Sequence, residues 1–132
     1  MPKDKPSIPE DVRRFVLTSI PSVPFLEALL LMRAAPDATW RRDTLARRLY
    51  VRDKTADGLL ADLCRAGIAV RSGDPGADGY RYDPRDPRLR ERIDRLADLY
   101  ATHLVEVTHL IHASLDRKAH QFADAFKWRK DS

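Results

Sequence analysis

The sequence contains little cysteine and no long hydrophobic run. Cys64 is the single cysteine in 132 residues, which excludes an internal disulfide and a thiolate metal cage and favours a reducing setting. The longest apolar run, residues 28–32, has five residues, whereas a membrane-spanning helix needs about 18 and the core of a signal peptide about 7 to 15. We therefore expect a cytoplasmic protein that is neither exported nor inserted into a membrane.

The composition does provide one packed core and one basic segment. With 43% hydrophobic and 33% charged residues, the chain has the apolar content of a globular domain, and domains commonly run to about 100–150 residues. We therefore expect residues 1–132 to form a single domain. The formal net charge of +4 equals the charge balance of residues 41–72 alone. Such a local basic patch favours a polyanionic partner.

Two helices are predicted in the first third of the chain. Residues 1–6 are polar and are expected to form a disordered arm. Ser7 and Glu10 have the spacing of a capping box, which predicts a short helix to about Ile20. Ser22 is expected to cap a second helix, which is mostly apolar and should be buried.

Two more helices and a β-hairpin are predicted in the middle of the chain. A basic amphipathic helix covers about residues 41–50, and Asp53 is expected to cap the next helix, which Gly67 ends in a left-handed turn. Residues 68–71 and 80–82 are rich in β-forming side chains, and the glycines, proline and aspartates between them are typical of a hairpin loop. The predicted fold class is therefore mainly α with one β-hairpin.

A C-terminal helical extension is predicted over residues 86–128. Asp86 and Pro87 form a helix-start pair, and a helical pattern then continues without a breaker to about His112. A short connection at residues 114–116 precedes a last helix. The extension is expected to serve in packing and dimerisation.

Apolar residues of the long helix recur by four and three, which is coiled-coil spacing. We expect them to form a homodimer interface through Leu89, Ile93, Leu96, Tyr100, Val107 and Leu110. The alternative is packing within one chain, against Val12, Phe15, Val16 and Ile20 of the first helix. In the last helix, Phe122 and Phe126 lie one turn apart near a basic end, where they either cover the core or dock a partner protein.

Three stretches in the middle of the chain follow a distinctive order: a Leu-Ala pair and turn, a Thr-containing helix, and a Leu-x-x-x-Gly-hydrophobic exit into the hairpin. They are Leu45-Ala46-Arg47-Arg48-Leu49-Tyr50-Val51, Lys54-Thr55-Ala56-Asp57-Gly58-Leu59-Leu60-Ala61-Asp62-Leu63 and Ala66-Gly67-Ile68-Ala69-Val70-Arg71. This order resembles the winged helix-turn-helix of bacterial transcription regulators of the MarR and PadR kind, over about residues 39–82. The resemblance implies a winged-helix core at residues 22–82, with one flanking helix before it and a long and a short helix after it.

The resemblance also implies a cytoplasmic, dimeric regulator that binds duplex DNA. In such proteins the second helix of the motif enters the major groove while nearby cations hold phosphates. The expected phosphate contacts are Arg41, Arg42, Arg47, Arg48 and Arg52, the expected base contacts are Lys54, Thr55 and Arg65, and the expected wing contacts are Arg71 and Arg81.

Acidic side chains keep a second function open. Asp57 and Gly58 stand where these families commonly have Ser and Arg, Asp62 falls on the same helix face, and Asp74 and Asp78 lie in the hairpin loop. Carboxylates there would face DNA phosphates of the same sign. The alternative is a winged-helix protein-protein interaction module without DNA binding, which uses this acidic surface or the aromatic C-terminal helix.

Neither catalysis nor a cofactor is predicted. The sequence lacks a phosphate loop, a G-x-S-x-G turn and an H-E-x-x-H motif. His103, Glu106, His109 and His112 have helical spacing, but no other helix supplies the carboxylates that a metal site of this type needs. Cys64 falls on the inward face of the fourth helix and is expected to be an inert buried thiol.

Overall fold

The computed structural model describes residues 8–72 and 79–131, with side chains up to residue 123. This part of the chain is mainly helical with a two-stranded antiparallel hairpin, which confirms the predicted class. The elements are α1 (Glu10–Ser19), α2 (Val23–Ala34), α3 (Arg42–Leu49), α4 (Asp53–Arg65), β1 (Ala69–Arg71), β2 (Tyr80–Tyr82), α5 (Pro87–Thr102) and α6 (Leu104–Asp131). The predicted arm at residues 1–6, Ser7, Asp74, Asp78 and the Phe126 side chain lie outside the described residues.

The first two helices differ in how they start. α1 begins at Glu10, follows Pro9 and has no side-chain cap among the described residues. In α2 the Ser22 hydroxyl accepts a hydrogen bond from the backbone N–H of Phe25 at 3.2 Å, which confirms the predicted cap. A hydroxyl in this position satisfies a backbone donor that has no partner within the helix.

α3 and α4 pack against each other across a short turn. Tyr50 has a left-handed backbone conformation (φ 57°), and the N–H of Val51 reaches the carbonyl of Ala46 at 3.0 Å. α4 starts at Asp53 with Arg52 as its N-cap, so the prediction that Asp53 caps the helix is wrong by one residue. Asp53 instead lies in the first turn, where a negative charge favours a helix start.

α4 ends at a turn that depends on glycine, as predicted. Gly67 has a φ of 77°, its N–H donates to the carbonyl of Cys64 at 3.0 Å, and the N–H of Ile68 donates to the carbonyl of Leu63 at 3.0 Å. These two bonds form a Schellman motif. The motif sets the direction in which the hairpin leaves α4.

The hairpin is tied to the start of α3. In the antiparallel register Ala69 lies opposite Tyr82 and Arg71 lies opposite Tyr80. Trp40 pairs with the other edge of β2, because its N–H donates to the Tyr80 carbonyl at 2.7 Å and its carbonyl accepts from the Tyr80 N–H at 2.8 Å. This bridge fixes the hairpin beside α3 and was not predicted from the sequence.

The prediction of one long helix to His112 is wrong. The helix starts as expected, with the Asp86 carboxylate accepting from the N–H of Leu89 at 2.8 Å, but α5 ends at Thr102 and His103 is not helical (φ −128°, ψ 42°). α6 then continues through residues 114–116, where a break was predicted. The bend at His103 lets α6 pack against both α5 and α1.

The core is formed by apolar side chains from all of the helices and the hairpin. In α2, Leu26, Leu29 and Met32 are fully buried, which agrees with the expectation that this helix is enclosed. An ion pair between Arg33 and Asp94, 2.8 Å apart, links α2 to α5. In the described part of the chain no single helix is both long and apolar enough to cross a membrane.

Candidate nucleic-acid interface

Six exposed cations surround the α3–α4 turn. We call them the basic surface: Arg41, Arg42, Arg47, Arg48, Arg52 and Lys54. Two of them, Arg41 and Arg42, line a shallow depression of about 300 Å³ together with Asp43 and Asp53. The start of α3 therefore lies close to the start of α4. All five arginines predicted to contact phosphates are accessible to a ligand.

Two cations of the basic surface are held by neighbours. The Arg48 guanidinium lies over the ring of Trp40, 5.7 Å from its centroid, and the ring is almost completely buried. Arg47 reaches Asp43 at 3.9 Å, a weak pair because both side chains are largely exposed. Arg48 is thus oriented by packing, whereas Arg47 is partly neutralised.

The other four cations have no carboxylate within 4.0 Å among the described residues. They are Arg41, Arg42, Arg52 and Lys54. A cation that is not held in an ion pair remains available to an external anion. These four side chains are the strongest feature of the basic surface.

The outward face of α4 separates the predicted base contacts. Lys54 and Thr55 are exposed at its first turn, next to the basic surface. Arg65 lies eleven residues after Lys54, or about 16 Å along the helix axis, and it forms an ion pair with Asp62. The structure therefore brings Lys54 and Thr55 together and leaves Arg65 apart from them.

Gly58 leaves the centre of the same face without a side chain. A Cβ atom placed there would meet nothing within 4 Å. Asp57, beside it, is exposed. The middle of the α4 face is thus flat and weakly acidic, and its positive charge lies at the N-terminal end.

The two arginines of the hairpin lie on opposite faces of it. Residues directly opposite each other in a hairpin share a face, and successive residues alternate between faces. Arg71 lies opposite Tyr80, and its guanidinium is 5.6 Å from the centroid of that ring. Arg81 lies opposite Val70 and so belongs to the other face. The two side chains therefore leave the hairpin on opposite faces.

Tyr50 is a site residue that the sequence analysis missed. Its side chain is 95% exposed, the largest value among the exposed large hydrophobic residues. It is also the one non-glycine residue with a positive φ in the described chain. The signal available in the sequence was a tight connection between two helices that contains no glycine.

The predicted dimer residues are mostly core residues. Leu89, Ile93, Leu96 and Val107 are buried in their own chain, since α5 and α6 pack against α1 and against each other. Those four positions therefore follow the alternative of packing within one chain. Tyr100 and Leu110, the other two, are half-buried.

The described residues contain neither a metal site nor an activated thiol. No three His, Cys, Asp or Glu side chains there are arranged to hold a metal ion. Cys64 is half-buried rather than fully buried, and burial raises its pKa above the ordinary value. A raised pKa lowers the thiolate fraction at neutral pH, which makes the thiol less reactive.

Comparisons of the chain with protein-family models, with curated proteins and with solved structures found no match.

Proposed function

We propose that the chain is a winged-helix protein that binds duplex DNA and regulates transcription. In this proposal α4 is the recognition helix, α3 precedes it across the turn, and the β1–β2 hairpin is the wing. The observation that carries the proposal is the basic surface, in which Arg41, Arg42 and Arg52 are exposed and have no carboxylate partner among the described residues. Unpaired cations at the starts of two neighbouring helices are opposite in charge to the DNA backbone and complement it.

The proposal divides the contacts between phosphates and bases. The three unpaired arginines and Arg48 hold phosphates, which position the protein without reading sequence. Lys54 and Thr55 approach base edges, because the N-terminal residues of a recognition helix are the ones that enter the groove. Only one face of the hairpin contacts the backbone. Arg65 is left out of base contact, since it is distant from Lys54 and paired with Asp62.

The test is a titration of labelled duplex DNA with three proteins. The first is the wild type, and the second changes Arg41, Arg42 and Arg52 to Ala. The third changes Arg13, Arg88 and Arg92 to Ala, which removes the same charge from exposed positions on α1 and α5. We expect fluorescence anisotropy to report micromolar binding by the wild type and the control at low salt. Binding should fall at least about tenfold in the second protein.

A protein partner is the alternative that the exposed apolar side chains of α6 favour. Leu104 and Val105 are 53% and 58% exposed, and Leu115 is 40% exposed. The absence of duplex binding by the wild type at low salt would contradict the DNA proposal. An apolar helix surface would then be the better starting point.

We also propose that the protein is a homodimer, whose contact is formed by exposed apolar positions of α6 rather than by the predicted stripe along α5 and the start of α6. The exposed positions Leu104, Val105 and Leu115 support this choice because large apolar side chains in water are the ones that gain from contact with a second copy. In a dimer that reads two half-sites, the two copies of α4 would lie about 34 Å apart, one turn of the DNA helix.

A further inference from the structure

Tyr50 occupies a conformation that tyrosine adopts only at a cost. The turn between α3 and α4 requires a left-handed residue at this position, and the N–H of the following Val51 closes the turn by bonding to Ala46. In that conformation the Cβ atom of an ordinary residue crowds the backbone, whereas glycine has no Cβ and asparagine tolerates the region better. The turn alone therefore favours glycine or asparagine.

The packing of the protein does not explain the choice of tyrosine. Its side chain is 95% exposed, and no hydrogen bond or ring contact of the phenol is present within the described residues. A large aromatic ring that is left in water does not contribute burial free energy. No contact within the described part of the chain therefore offsets the backbone strain at Tyr50.

Tyr50 lies among the cations of the basic surface. Arg47 and Arg48 precede it within three residues, and Arg52 and Lys54 follow within four. All four are exposed members of the basic surface. A phenol is neutral at physiological pH and has an O–H that donates to an anionic oxygen, and tyrosine is one of the side chains that hold DNA phosphates in this way.

We propose that Tyr50 is a phosphate-binding residue, whose hydroxyl donates a hydrogen bond to the DNA backbone at the α3–α4 turn. This proposal rests on the proposed function, because it names one more contact of the same surface. At 95% exposure Tyr50 is open to a ligand at the turn between the two helices. In this proposal the contact with phosphate offsets the backbone strain at Tyr50.

The test compares two substitutions at this position with one elsewhere. Tyr50→Phe removes only the hydroxyl, and Tyr50→Gly removes the ring and relieves the strained backbone. Tyr100→Phe, on the half-buried side of α5, is the matched control. Each protein is titrated with the labelled duplex at several salt concentrations, and its thermal unfolding is followed by circular dichroism.

We expect Tyr50→Phe to weaken binding about tenfold, the value for one lost hydrogen bond to a charged group. The salt dependence should remain that of the wild type, because a neutral hydroxyl does not displace counterions. Tyr50→Gly should weaken binding at least as much and yet melt at a higher temperature than the wild type. The control should change neither property.

Opposite changes in binding and stability distinguish a functional tyrosine from one kept for the fold. If the wild type binds duplex and Tyr50→Phe binds it within about threefold of that affinity, the Tyr50 proposal is overturned and the proposed function stands. If the wild type does not bind duplex at low salt, both proposals fail together.

Discussion

Two glycines in the α4 region differ in why they are glycine. Gly67 has a φ of 77°, where any other residue is strained, whereas Gly58 lies on an exposed helix face with open space around the position of a Cβ. In the left-handed region a Cβ costs about 1–2 kcal/mol. Within a helix, alanine is better than glycine by about 1 kcal/mol. The same chemical change should therefore have opposite effects at the two positions.

We predict that Gly67→Ala lowers the free energy of unfolding by about 1–2 kcal/mol and that Gly58→Ala raises it by about 1 kcal/mol. Each variant serves as the control for the other, because both add one methyl group. Denaturant unfolding measures both values. An increase in the free energy of unfolding for Gly67→Ala would mean that the backbone at Gly67 is not left-handed in solution.

Tyr50 shows why residue identity alone did not reveal the whole candidate site. The sequence shows where the cations lie along the chain, and the resemblance assigned the arginines of the basic surface to phosphate contacts. It does not show which cations have partners: Arg65 and Asp62 pair within one turn, and Arg48 packs on Trp40. The strain at Tyr50 follows from the exact path of the turn, which no residue pattern specifies.

At the scale of elements, local chemistry predicted those helix ends that have a dedicated cap. Ser22 and Asp86 accept hydrogen bonds at the starts of α2 and α5, and Gly67 ends α4. The end of α5 was missed because neither glycine nor proline marks it. There the Thr102 hydroxyl bonds to the Leu99 carbonyl at 3.2 Å, and after the bend α6 buries Val107 and Ile111 in the core.

The Asp86 cap should make the stability of α5 depend on pH. The N–H of Leu89 is the main cause that holds the pKa of Asp86 below its usual value of 3.8. A carboxyl whose pKa is lower in the folded than in the unfolded state stabilises the fold above the unfolded pKa, and this contribution is lost as the pH falls through the folded pKa. Asp86→Ala should therefore melt below the wild type at neutral pH, and the difference should shrink as the pH falls below about 4.

Asp86→Asn is the matched variant for this prediction. Asparagine caps a helix about as well as aspartate but does not titrate, so its melting temperature should exceed that of Asp86→Ala at neutral pH and in acid alike. Melting curves between pH 2 and pH 7 measure the three proteins. A gap between wild type and Asp86→Ala that stays constant across this range would show that the charged cap does not form.

At the scale of the whole molecule, the sequence predicted the class of fold and the order of elements up to α5. The apolar stripe of the C-terminal extension was predicted to contact a second copy, with packing inside one chain as the alternative, because periodicity does not say which surface a stripe contacts. Ile93, Leu96 and Val107 are buried within one chain, since α5 and α6 both pack against α1 and against each other. The same spacing of apolar residues occurs whether the stripe packs within one chain or against a second chain.

The homodimer proposal predicts how the molecular mass should respond to charge on α6. We expect the wild type to have twice the mass of one chain in sedimentation equilibrium at micromolar concentration, and the double variant Leu104→Glu and Val105→Glu to have the mass of one chain. Buried glutamates without partners would oppose association. Glu91→Lys, an exposed charge change on α5, is the control and should stay dimeric. A wild type that sediments as a single chain would contradict the dimer.

The central claim is that the basic surface holds DNA phosphates, and the salt dependence of duplex binding tests it most directly. Each phosphate neutralised by a cation contributes about −0.9 to the slope of the logarithm of the association constant against the logarithm of salt concentration. The account predicts that changing Arg41, Arg42 and Arg52 to Ala makes this slope shallower by about 2.7, whereas the α1 and α5 control leaves it unchanged. Equal slopes for the two triple variants would contradict the account.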